Sequence, residues 1–122
     1  GMPGHKICVG ANVENAMITD GCKIAGSVKH SILFAGVKVE AGAIVEDAVI
    51  MGGTTIKAGA VVKHCIVAEK VVIGENAVIG AMPTEDEQGV ATIGPRVCIG
   101  KNAKVGPNGM ISEDVKDGEE KW

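Results

Sequence analysis

The chain has 122 residues, 46% of them apolar but only 2% aromatic, so aliphatic side chains rather than rings must fill its core. Seventeen Val and 13 Ile against one Leu, with 18 Gly, exclude a helical bundle and point to strands broken by tight turns. A formal charge of −3 and a single Arg, Arg96, argue against nucleic acid as a partner, and no apolar run is long enough to span a membrane.

Taken in chain order, Gly1 ahead of Met2 reads as a scar of tag removal, and residues 1–6 as that scar plus a linker remnant. From Ile7 an aliphatic rung then recurs through Val13, Ile18, Ile24, Val28, Leu33, Val39, Val45, Ile50, Ile56, Val62, Val67, Ile73 and Ile79. Between Leu33 and Ile79 the steps run 6, 6, 5, 6, 6, 5, 6, 6, so three rungs make a 17-residue unit. The unit is visible as SILFAGVKVEAGAIVED, AVIMGGTTIKAGAVVKH and CIVAEKVVIGENAVIGA. The rhythm breaks at 81–92 (AMPTEDEQGVAT), which predicts a loop leaving the body where the third strand of that turn should be. It resumes at Ile93, Ile99, Val105 and Ile111, and residues 112–122 read as a polar C-terminal tail.

A second column supports the register. Two residues before the rungs stand small or β-branched residues, among them Ala16, Cys22, Ser31, Val37, Ala43, Thr54, Ala60, Cys65, Ala77 and Ala103. Residues two apart on a strand share a face, so large rungs and small companions both point inward, as a narrow interior requires. Gly42, Gly59, Asn76, Asn102 and Asn108 fall three after a rung, where a corner needs positive φ. The expected fold is all-β: a triangular prism of three short parallel strands per turn, stacked ~4.8 Å apart over about six turns. The domain is expected to span 7–111.

Stacked coils bring residues 17 apart together, so His30, Asp47 and His64 share one corner column with Asn15 below. Such a column suits a metal, an acid–base pair or an anion. It equally suits a hydrogen-bonded surface ladder, because the neighbouring column Glu14, Lys29, Glu46, Lys63 alternates in sign. A three-histidine metal site would need His5, which lies about two turns away. Arg96 takes a corner position near Lys101 and Lys104, where it suits a sugar phosphate or the acidic tail. Glu85, Asp86 and Glu87 give the loop charge but no nucleophile. The four cysteines show neither CxxC nor zinc spacing and read as reduced thiols of a cytoplasmic protein, with Cys22 and Cys65 inward and Cys98 outward.

The outer surface is patterned too. On the face carrying Ile18, Leu33, Ile50 and Val67 (the Leu33 face), the outward residues include Met17, Ile32, Phe34, Val49, Met51 and Ile66. These six are the candidate interface residues. The face carrying Ile24, Val39, Ile56 and Ile73 (the Val39 face) shows Lys23, Lys38, Glu40 and Lys57 and reads as solvated.

The six-residue units resemble the hexapeptide repeats of left-handed parallel β-helices, and the left hand comes from that resemblance. The stretch VENAMITDGCKIAGSVKHSILFAGVKVEAGAIVEDAVIM, Val13 to Met51, resembles the C-terminal domain of bacterial glucose-1-phosphate adenylyltransferase. The features that carry this are the Asp20–Cys22 turn, Val28 to Phe34, Val45 to Met51, and VVIGENAVIGA from Val71 to Ala81. The resemblance implies a non-catalytic assembly and regulatory domain. Its partners would be its own N-terminal catalytic domain, further copies in a homo-oligomer and a sugar-phosphate effector, for which His30, His64 and Arg96 are the candidates. ATP and Mg²⁺ would belong to the catalytic domain, whose motifs have no match here, and this chain would carry no cofactor, metal or catalytic residue. The same prism also serves acyl-CoA-dependent acyltransferases and other sugar-phosphate nucleotidyltransferases.

Overall fold

The computed structural model describes residues 4–122, so the scar read at Gly1 and Met2 lies outside the described residues. The described chain is all strand and turn, and its strands pair in parallel. Three faces rise around a narrow interior in a β-solenoid of about seven turns, the architecture of a left-handed parallel β-helix. The Val39 face is a six-stranded sheet. The Leu33 face and the third face, carrying Val28, Val45 and Val62, join into an eleven-stranded sheet because Ile44–Ile50 and Val61–Val67 run through the shared corner.

The two inward columns fill the interior. From Ile24 to Val105 every rung is buried, and the small companions from Cys22 to Ala103 are buried with them. Two companions are polar, and each bridges neighbouring coils. Ser31 Oγ accepts from Ala48 N–H at 3.1 Å and donates to the Lys29 carbonyl, while Thr54 Oγ1 accepts from Val71 N–H and donates to the Ala68 carbonyl. The buried hydroxyls are therefore satisfied, as a dry interior requires.

Each vertical edge is a column of left-handed residues. Gly36, Gly53, Lys70 and Arg96 line one; Gly42, Gly59, Asn76, Asn102 and Gly118 line the second; Asn15, His30, Asp47 and His64 line the third. Along the first two, a corner N–H donates to the coil below, as from Gly53 to Ala35 and from Asn76 to Ala58.

Three expectations need correction. The segment 112–122 is a further coil: Val115 is buried and bridges Ile99, and Glu120–Lys121 pairs with Lys104–Val105. Its acidic composition masks one apolar rung, which brings the count to about seven turns instead of six. Glu119 supports this coil by accepting from Lys116 N–H, a bond that holds its carboxyl below the usual range. The loop occupies only 81–90, because Ala91–Ile93 forms the third strand of its turn and pairs with Val61–Val67. The insertion sits at a corner and replaces no strand. At the other end Ile7 is 45% exposed, since nothing among the described residues stacks beneath its coil.

Candidate functional site

The corner of Asn15, His30, Asp47 and His64 is built by a five-residue step. Val45 to Ile50 and Val62 to Val67 turn the edge without leaving the strand, which the backbone achieves by placing one residue at φ near +50°. Asn15, His30, Asp47 and His64 have φ of 47°, 48°, 53° and 47°. Asn, Asp and His are the non-glycine types most tolerant of this region. The residue types that suggested chemistry in the sequence thus have a backbone reason to be there.

Their side chains meet only in part. His64 Nδ1 lies 2.5 Å from Asp47 Oδ2, with His64 22% and Asp47 44% exposed. With Nδ1–H donating to the carboxylate, Nε2 remains the basic nitrogen. His30 is exposed, and its N–H donates to the Glu14 carbonyl of the coil below. Beside this column Lys29 pairs with Glu14 at 3.8 Å and Lys63 with Glu46 at 4.0 Å, completing the expected sign-alternating ladder. Just inside the corner Cys65 is buried, and burial together with the Asp47 carboxylate pushes its thiol up to about 12. It is therefore no nucleophile at neutral pH.

The loop at 81–90 leaves the prism directly above His64, since Val62 pairs with Ile79 and the chain departs after Gly80. A side chain at Gly80 would meet the Lys63 carbonyl, and its φ is +70°, so glycine alone fits there. The loop is ordered by its own contacts: Glu87 accepts from Gly89 N–H at 2.8 Å and from Asn108 Nδ2 at 2.9 Å. Its acidic residues are exposed and directed to no cation among the described residues.

Arg96 does not join the histidines. It stacks over Lys70 on a different vertical edge, its N–H donating to the Glu69 carbonyl. It also stands apart from Lys101 and Lys104, which occupy the next edge and the third face. Among the described residues Arg96 makes no ion pair, with the last coil or elsewhere. Its three-residue offset from Ile93 matches that of Gly36 from Leu33, a sequence signal for this edge.

The candidate interface residues stand where the repeat puts them. Met17, Ile32, Phe34, Met51 and Ile66 are exposed and Val49 is half-buried on the Leu33 face, Met17, Ile32, Val49 and Ile66 in registered strands and Phe34 and Met51 one residue beyond them. Met110, 83% exposed, extends the same face at the far end. Cys22 and Cys65 are buried and Cys98 is exposed, as expected.

A family model described as GlmU-like, C-terminal hexapeptide matches residues 5–99. The chain belongs to this hexapeptide-repeat family. Glucose-1-phosphate adenylyltransferase of Bacillus thuringiensis (strain Al Hakam) is 51% identical over 43 residues, 35% of this chain and 11% of that protein. The chain thus spans about a tenth of the length of the curated relatives it matches. Among solved structures, the acetyltransferase domain of PglB from Neisseria gonorrhoeae FA1090 superposes over 98% of this chain and 54% of its own, with TM-score 0.68 and 21% identity. PerB from Caulobacter crescentus, in complex with CoA and GDP-perosamine, covers 94% of this chain and 49% of its own, with TM-score 0.63 and 20% identity. At those identities the hexapeptide-repeat neighbours share the fold, and fold alone does not carry an activity.

Proposed function

We propose that this chain is the non-catalytic C-terminal assembly and regulatory domain of a glucose-1-phosphate adenylyltransferase. The observation that carries the reading is the 51% identity over 43 residues to that enzyme, against about 20% to acetyltransferases of the same fold. The apolar Leu33 face supports it, because Met17, Ile32, Phe34, Met51 and Ile66 are exposed together there and include the chain's only Phe, a residue type enriched at interface centres. Further copies of this domain, or the catalytic domain, would cover it. The parent enzyme would transfer AMP from ATP to glucose 1-phosphate and release pyrophosphate, on its N-terminal domain and with Mg²⁺. Among the described residues no three His, Cys, Asp or Glu side chains converge to hold a metal ion. Sugar-phosphate regulation through His30, His64 and Arg96 would need more than one chain or domain, since Arg96 lies on a separate edge. No described helix is long and apolar enough to cross a membrane.

A second reading, an acyl-CoA-dependent acyltransferase, rests on the Asp47–His64 pair beneath the 81–90 loop. One experiment separates the two. Fused after the catalytic domain of the Bacillus thuringiensis relative, in place of that enzyme's own C-terminal domain, the chain should give a soluble oligomer that forms ADP-glucose. Alone it should form none and show no thermal shift with millimolar acetyl-CoA. A soluble but monomeric and inactive fusion, or stabilisation by acetyl-CoA, would overturn the assignment.

A further inference from the structure

One coil is two residues shorter than the two that follow it. Ile18 to Leu33 takes 15 residues where Leu33 to Ile50 and Ile50 to Val67 take 17. The missing two are at the edge between the Val39 face and the third face, where Ile24 reaches Val28 in four residues through Ala25 and Gly26. Gly26 is drawn so far under the next coil that a Cβ would stand 2.5 Å from the Ala43 carbonyl oxygen and 2.8 Å from that of Glu40. The coil above keeps its full corner, Glu40 to Ala43, and therefore overhangs.

Beneath the overhang is a recess of about 320 Å³ lined by Lys23, Ala25, Lys38, Val39, Glu40 and Ala41. Two features give it a preference for anions. Lys23 and Lys38 lie directly opposite one another in the parallel register, and Lys6 continues the row one coil down. All three are exposed, and none has a carboxylate within 4.0 Å among the described residues. Like charges opposed across a sheet are destabilising, and on the third face this chain avoids them by alternating Glu14, Lys29, Glu46 and Lys63. The other is a backbone donor at the margin of the recess, one residue beyond the lining residue Ala41. In the same corner column Gly59, Asn76, Asn102 and Gly118 each donate N–H to a carbonyl of the coil below. Gly42 has no such acceptor among the described residues, because the shortened coil lacks the corner that would supply one. Glu40 also lines the recess, but its Oε1 is drawn to Ala58 N–H of the next coil at 3.2 Å.

We infer that this recess is a binding site for a small phosphoryl-bearing molecule, gripped by Lys23 and Lys38 and resting on the Ala25–Val39 floor, with the Gly42 N–H next to the lining residue Ala41 at its margin. Lys6 stands one coil further along for a second anionic group. The site is distinct from the histidine corner and from Arg96, and it does not depend on the enzyme assignment above. The test is an amide NMR titration of the full chain at low ionic strength, with inorganic phosphate and with tripolyphosphate. Saturable shifts centred on Ala25, Ala41 and Gly42 are expected, stronger for tripolyphosphate. Lys23→Gln with Lys38→Gln should weaken binding by about tenfold or more, as charge-assisted bonds of this kind imply. Lys63→Gln, whose lysine is already paired with Glu46, should leave it unchanged. Absence of saturable shifts, equal affinity in the double variant with its folded spectrum retained, or shifts spread over all exposed lysines would overturn the site.

Discussion

The Leu33 and Val39 faces share one interior and differ outside it. Inward, both present buried rungs with small or β-branched companions. Outward, the first stacks Met17, Ile32, Phe34, Met51 and Ile66, and the second stacks Lys6, Lys23 and Lys38. The lesson is that the hexapeptide period constrains the side chains that fill the prism and, through positive φ, those at its corners. The outer positions are free of it, and what distinguishes this protein from others with the same fold is written there.

The largest expected effect lies in the shared interior. Ile56→Ala removes a fully buried rung and should cost about 2–5 kcal/mol in denaturant unfolding. Lys38→Gln, outward on the neighbouring strand of the same face, should change stability by less than about 0.5 kcal/mol. Comparable losses at the two positions would mean that the outer residues are not independent of the repeat.

Next comes Cys65, an inward residue at the edge of the Leu33 face. Its raised pKa means that the folded chain keeps a proton the unfolded chain releases above the ordinary thiol value of 9.0. Stability should therefore be undiminished by this group below that pH and fall between 9.0 and about 12, by at most about 1.4 kcal/mol per pH unit. Unfolding midpoints measured across that window should lose this slope in Cys65→Ala.

A smaller effect separates backbone from chemistry at the histidine corner. At φ +47°, His64→Asn should be nearly neutral in thermal unfolding, whereas His64→Val should cost about 1–2 kcal/mol. A larger loss for His64→Asn would show that the contact with Asp47 stabilises the corner more than its exposure suggests.

Much of this was legible in the sequence because the step lengths carry the geometry. The rungs from Leu33 to Ile79 and their small companions follow from counting sixes and fives. What was missed followed the same arithmetic under misleading composition. Val115 sits four after Ile111, as Val28 sits four after Ile24, and Gly118 sits three after Val115, as Gly42 sits three after Val39. Five acidic neighbours, Glu113, Asp114, Asp117, Glu119 and Glu120, disguised that coil as a tail. The histidine corner misled in the opposite direction, since left-handed backbone selects His and Asp much as a site would. The recess under Gly42 was not legible, because it arises from two missing residues whose effect shows only when the coils are stacked.

The central claim is that the Leu33 face is an assembly surface, and sedimentation of the wild-type chain against Phe34→Glu tests it most directly. Phe34 is 45% exposed, so the substitution should leave the fold intact and act on association alone. The account predicts an oligomer for wild type at high micromolar concentration and a folded monomer for Phe34→Glu. A wild-type monomer, or a variant that sediments as wild type does, would contradict it.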